Sequence, residues 1–253
     1  MRGWWHELAD LVLPAECAGC GRARTTLCDR CRAGLDGARA RRVRSEPTPG
    51  GVPKGPPVVY AAAAYADEVR AVLLAHKERG ALSLVRPLGA ALAGAVRAAA
   101  SAAAHGGGGG GGGGAPGQML LVPVPSSRRA VAARGHDATR RIALVAAHEL
   151  RRTGTLARTA SVLRQRRPVA DQAALGGRER LANLGDALTV VGGPSAHRLL
   201  AAAAAVVVVD DLMTTGASLA AATAAVQAAG GRVAAAAVVA APAESYGGAA
   251  PRP

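Results

Sequence analysis

Four valines, Val206 to Val209, run straight into Asp210 and Asp211 and then into the small polar stretch Thr214-Thr215-Gly216-Ala217-Ser218. Four β-branched residues without polar alternation predict a strand buried on both faces, which calls for a parallel sheet covered by helices. A helix-period segment, Ser218 to Ala229, follows and stops at Gly230-Gly231. The polar loop therefore joins the carboxyl end of a strand to the amino end of a helix. Ligands of open α/β sheets gather there, and free N–H groups with the helix dipole favour an anion.

The same alternation recurs over residues 58–243. Strands are expected at Val58 to Ala64, Met119 to Val124, Ala187 to Val191, Ala204 to Val209 and Val233 to Ala240; helices at Asp67 to Glu78, Leu82 to Ala100, Ala138 to Arg152 and Ser218 to Ala229. A cysteine-containing module over residues 1–44 and a Pro/Gly linker over 45–57 precede this α/β domain, and a frayed tail over 244–253 follows it. The nine glycines Gly106 to Gly114 match a dinucleotide fingerprint trivially. No strand precedes them, so they predict a disordered insertion over 105–118.

The formal net charge is +14, which invites nucleic acid, anionic membrane or phosphate ligands as partners. The arginines are scattered, however, in groups such as 39–44, 128–129, 140–141, 151–152 and 164–167, as solvated faces would be. No run is expected to span a bilayer, because Leu199 to Val209 is stopped by Asp210 and Val233 to Ala241 by Pro242. Glu7 and Asp10 break the amino-terminal segment as a secretory signal, so a cytoplasmic location with reduced thiols is expected.

All four cysteines fall within one short window, CAGC (Cys17, Cys20) and CDRC (Cys28, Cys31). Two C-x-x-C knuckles supply four soft ligands for a tetrahedral divalent metal, and four protein ligands leave no open position, so a structural Zn²⁺ is expected. Disulfides compete, but a reducing compartment disfavours them. Gly19 and Gly21 permit close backbone approach in the first knuckle. The module either stabilises a chain end or docks a partner or nucleic acid, helped by Arg22, Arg24, Arg30 and Arg32.

In the acidic loop, Gly216 lets a phosphate approach, and Thr214, Thr215 and Ser218 add hydroxyl donors. Carboxylates are acceptors only, so Asp210 and Asp211 suit vicinal hydroxyls such as those of a ribose, directly or through a cation. Together these features describe a sugar phosphate. A Walker-type loop would require G-x-x-x-x-G-K-[ST], which is absent, and a simple helix cap would not explain the doubled Asp.

The run VVVVDDLMTTGAS is similar to the phosphoribosyl diphosphate motif of type I phosphoribosyltransferases. The order of paired knuckles, AHKERG (75–80), VPVPSSRRAVAARG (122–135), LRQRRPVADQAALGGRERLANL (163–184) and the Asp-Asp loop resembles the ComF family of competence-associated proteins over nearly the whole length. The resemblance implies a type I phosphoribosyltransferase fold, a parallel sheet with flanking helices, preceded by a four-Cys zinc-ribbon-like module. It implies Mg²⁺ as cofactor, and transfer of a phosphoribosyl group to a nitrogen acceptor. By position, Asp210 and Asp211 would hold the ribose hydroxyls and Thr214, Thr215, Gly216, Ala217 and Ser218 the 5-phosphate. Pro125, Ser126 and Ser127 would form the diphosphate loop, with Arg134 and Lys77 as cationic partners. Arg164, Gln172 and Arg180 would lie in a mobile catalytic loop. The implied ligand is phosphoribosyl diphosphate; the alternative reading is a non-catalytic accessory protein in DNA uptake that binds single-stranded DNA or a translocase of the uptake machinery, and a homo-oligomer is open to either. The family usually reads R-G-F-N-Q where this chain has Arg134-Gly135-His136-Asp137-Ala138. That exchange removes two amide donors, adds a carboxylate near the expected diphosphate position, and makes His136 a packing substitute for the aromatic.

Overall fold

A computed structural model describes residues 16–44, 58–106, 117–165 and 188–246. Helix α1 (Asp29–Ala33) starts within the second knuckle, with Cys28 at its N-cap and Cys31 inside it, and strand β1 (Arg41–Val43) closes the amino-terminal part. Strand β2 (Val59–Ala64) leads into α2 (Asp67–Glu78) and α3 (Val85–Gly106). Then come β3 (Met119–Pro123), the short α4 (Arg128–Arg134), α5 (Ala138–Arg152), β4 (Ala157–Thr159) and β5 (Leu163–Gln165). Strand β6 (Leu188–Val190), α6 (Gly193–Ala202), β7 (Ala205–Leu212), α7 (Ala217–Ala228) and β8 (Val233–Ala241) complete the order.

Six strands form one sheet in the order β1-β2-β8-β7-β3-β4, parallel except for the antiparallel edge strand β1. Both outermost strands, β1 and β4, are three residues long. The apolar side chains of the central strands divide by the period of two that strand geometry imposes. Leu121, Val207, Val209, Ala237 and Val239 join the core beneath α2, α3 and α5; Leu120, Val122, Val206, Val208, Ala236 and Val238 join the core beneath α7. Burial on both faces is why the valine run carries no polar alternation.

Helix positions follow the same economy of burial. Val69, Val72, Leu73 and His76 of α2 repeat at three- and four-residue steps and are all buried. Helix α5 buries Thr139, Ile142, Ala143, Ala146, Ala147 and Leu150 at those steps, and the Asp137 side chain caps it by accepting from Arg140 N.

Several expectations need correction. The stretch Leu82–Ala104 is, by length and a mean hydropathy of 1.2, apolar enough to cross a membrane, but 61% of its most apolar window is buried inside the protein. Leu88, Leu92 and Val96 of α3 are fully enclosed, so its apolarity serves the core. The expected strand at Ala187 to Val191 forms only β6, which pairs antiparallel with β5 in a separate two-stranded sheet. The tail is anchored at its start: Tyr246 Oη donates to Ala62 O at 2.8 Å and to Arg39 O at 3.1 Å. Arg41 lies 4.9 Å over the Tyr246 ring. The linker 45–57 and the glycines from 107 onward lie outside the described residues.

Candidate functional site

Strand β3 is followed, through α4 and α5, by β4 on one side of it, whereas β7 is followed, through α7, by β8 on the other side. The connections thus diverge between β3 and β7, which places a crevice at the carboxyl ends of these two neighbours. A cleft of about 330 Å³ opens there, walled by Lys77, Pro125, Ser126, Ser127, Arg134, Thr139, Gln165, Asp210, Asp211, Thr214 and Ser218, among others. Residues expected to cooperate from three separate stretches of sequence meet in it.

The strand runs on through both acids to Leu212 rather than ending at Val209. Successive strand side chains ordinarily point to opposite faces, yet Asp210 and Asp211 both line the cleft. Asp211 is almost wholly enclosed, and its Oδ2 lies 2.9 Å from Lys77 Nζ, reaching from the last turn of α2. Asp210 Oδ1 accepts from Asp211 N at 2.8 Å and from Thr139 Oγ1 at 3.3 Å. Loss of hydration, followed by the neighbouring Asp211 charge, pushes the Asp210 carboxyl well above the usual carboxylate range. Burial opposes the charge on Lys77, but Asp211 outweighs it and holds the lysine above its ordinary value.

Around the acids, the loop after β7 turns on Gly216, whose φ of 85° is left-handed and favours glycine. Thr214 and Ser218 are exposed in the cleft wall, and Thr215, Gly216 and Ala217 connect them; Thr215 Oγ1 accepts from Ala217 N at 3.4 Å. Ser127 caps α4 by accepting from Ala130 N at 3.1 Å, which leaves its hydroxyl proton available as a donor. Ser126 Oγ donates to Asp137 Oδ1 at 3.4 Å. Asp137 thus serves as a helix cap behind Ser126 and is not part of the cleft wall.

Arg134 lines the cleft, but its guanidinium is drawn toward α2: Nη1 donates to Lys77 O at 3.2 Å and lies 3.8 Å from Glu78 Oε1, while Nε donates to Ala130 O at 3.0 Å. His136 is buried, as a packing substitute would be, with its ring centroid 5.8 Å from that of the fully buried His76. Each ring has a buried Nε2 without a partner. Burial pulls the His76 imidazole below its ordinary value. Arg164 lies in β5, opposite Thr189 of β6. Gln172 and Arg180 lie outside the described residues.

Thr139 and Gln165 are wall residues that sequence reasoning missed. Thr139 reads as the start of an amphipathic helix, and only the fold brings it to Asp210. Gln165 stands in the RQRR run and reaches Pro125 O at 3.2 Å through Nε2.

The four cysteine Sγ atoms lie within 4.8 Å of one another. A tetrahedron of thiolates at about 2.3 Å from Zn²⁺ has edges of about 3.8 Å, so the cluster has the dimensions of a closed metal site and is compatible with structural zinc. Cys20 and Cys28 Sγ are 3.6 Å apart, and Cys28 N donates to Cys17 Sγ at 3.3 Å. Burial opposes ionisation of Cys17, but the amides of Cys28, Cys20 and Gly19 prevail and bring the thiol down to about 6. Burial pushes the Cys31 thiol up. The knuckles are not set apart from the sheet domain: Cys17, Leu27, Cys28, Cys31 and Leu35 share one core with Val69, Val72 and Leu73 of α2.

Against known proteins, no family model and no curated protein matches this chain.

Proposed function

We propose that the chain is a ComF-like protein with a type I phosphoribosyltransferase domain, which binds phosphoribosyl diphosphate with Mg²⁺ and transfers the phosphoribosyl group to a nitrogen acceptor. One observation carries this: the Asp210-Asp211 pair, the Thr214 and Ser218 hydroxyls and the Ser126-Ser127 turn meet in a single cleft at the carboxyl ends of β3 and β7.

In this scheme Asp210 and Asp211 accept from the ribose 2- and 3-hydroxyls, and the Thr214 to Ser218 turn holds the 5-phosphate at the start of α7. Ser126 and Ser127 face the diphosphate, and Lys77 supplies positive charge beside it. Among the described residues, the hydrogen bonds to Asp210 from Thr139 and from Asp211 N both fall on Oδ1, which leaves Oδ2 for a hard cation and suits Mg²⁺ held by one or two carboxylates and substrate oxygens. Bound Mg²⁺ would offset the charge that develops on departing diphosphate. No protein nucleophile is required; positioning and preorganised charge supply the catalysis. The cytoplasm is the compartment that fits reduced metal-binding thiols.

Calorimetry with Mg²⁺ and phosphoribosyl diphosphate tests the proposal. Heat is expected from the parent chain and not from the Asp210→Asn, Asp211→Asn double variant. Absence of heat from the parent, or identical heat from both, refutes it. Diphosphate release screened against bases and amines then identifies the acceptor.

A second function, contact with single-stranded DNA during uptake, is favoured by the exposure of Arg22, Arg24, Arg30 and Arg32 around the knuckles. It predicts a salt-steep affinity that survives the double Asp variant. No binding at about 50 mM salt would exclude it.

A further inference from the structure

Helix α2 touches the cysteine cluster at one end and the cleft at the other. Near its start, Glu68 pairs with Arg30 of α1, and a Cβ added to Gly19 in the first knuckle would come within 3.1 Å of Glu68 Cβ. Val69 packs beside Gly34, just after the second knuckle, and belongs to the core formed with Leu27, Cys28, Cys31 and Leu35. Nine residues after Glu68, about 14 Å along the helix, Lys77 holds Asp211 at 2.9 Å.

The first turn of α2 carries two acidic residues, Asp67 and Glu68, that suit the helix dipole, but no side-chain cap. Its N-cap is Ala66, which offers no side-chain acceptor, and Asp67 has a left-handed φ of 40°. A helix of 12 residues without a cap is marginal by itself and takes its stability from the surface it packs on. For this first turn that surface is the cysteine module. The Arg30–Glu68 pair is largely exposed and contributes little; the apolar contact through Val69 matters more.

We propose that metal occupancy of the Cys17-Cys20-Cys28-Cys31 site regulates the cleft through α2: the ordered knuckles hold the first turn, and the helix carries that order to Lys77 in its last. The ligand part of this proposal rests on the assignment of phosphoribosyl diphosphate to the cleft; the helix part does not. Coupling between sites is reciprocal in binding energy, so ligand in the cleft would also tighten the metal.

Hydrogen exchange by mass spectrometry on the full chain, zinc-loaded and zinc-stripped, tests the helix. Stripping should speed exchange across Asp67–Glu78 at least tenfold while Ala217–Ala228 on the opposite face keeps its protection. Unchanged exchange in Asp67–Glu78, or equal loss in both helices, overturns the proposal. The zinc-loaded Val69→Ala variant guards against simple unfolding. It should keep one zinc per chain and still weaken phosphoribosyl diphosphate binding about fivefold or more, the scale of ordinary allosteric coupling. Parent affinity in that variant overturns the coupling. If neither parent nor variant binds the ligand while α2 still loosens on stripping, the cleft assignment falls and the metal–helix coupling stands.

Discussion

Lys77 Nζ and Asp211 Oδ2 are 2.9 Å apart although 134 positions separate the residues in sequence. The lysine keeps 36% of its side-chain surface in solvent and the aspartate only 4%. The pair therefore divides the labour unequally: Asp211 depends on Lys77 far more than Lys77 depends on Asp211.

Replacing Lys77 by Met should destabilise the fold by leaving Asp211 enclosed without its cation. Breaking a fully buried pair costs about 3–5 kcal/mol; the partial exposure of Lys77 lowers this to about 2 kcal/mol. Urea unfolding at pH 7.5 measures the loss, and adding Asp211→Asn should recover most of it. Losses that simply add would show that the two groups are not coupled.

Asp210 should make the fold less stable as pH rises. Its folded-state carboxyl is raised above the unfolded value, so any stability it lends is complete below the unfolded pKa and is lost as pH climbs through the folded one. Asp210→Asn keeps an acceptor for Thr139 and for Asp211 N while removing the charge. Its urea midpoint should exceed the parent's at pH 7.5, and the gap should close toward pH 4. A parent more stable than the variant at pH 7.5 would contradict this.

His76 acts in the opposite sense. Its imidazole is held below the ordinary value by burial, so the neutral ring's contribution is present above about pH 6.5 and is lost as pH falls toward the folded-state value. Thermal unfolding between pH 7.5 and 5.5 should show a decline in Tm that His76→Leu flattens. An equal decline in both proteins would assign the titration elsewhere.

Two knuckle glycines should fail differently. A Cβ on Gly19 would come within 2.7 Å of Cys31 Sγ, so Gly19→Ala displaces a ligand and should weaken zinc at least tenfold in competition with a chromophoric chelator. Gly21 has φ 75° and open space around it, so Gly21→Ala should cost about 1–2 kcal/mol of stability and leave zinc affinity nearly unchanged. Equal effects on zinc would remove the distinction.

The valine run and the periodic helices were readable because burial writes itself into local pattern: α5 occupies the expected Ala138–Arg152 span, and β2, β3 and β8 fall within a residue of expectation. The strand's continuation through Asp210 and Asp211 was not readable, since acids ordinarily mark a strand's end and only pairing with β8 extends it. Strand β1 was hidden because Arg-Arg-Val carries no alternation, and its hydrogen bonds to β2 skip the intervening linker. Thr139, the Lys77–Asp211 pair and the packing of the knuckles on α2 are all long-range contacts. Nothing in their own neighbourhoods announces them.

The two short outer strands bear on how copies of this chain meet. β1 exposes Arg41 and Arg42, and β4 exposes Arg158 at its middle. A sheet margin offers unpaired backbone groups to any passing strand, and brevity with fixed positive charge discourages such recruitment. Part of the arginine excess thus sits where it opposes recruitment of a further strand at either margin of the six-stranded sheet.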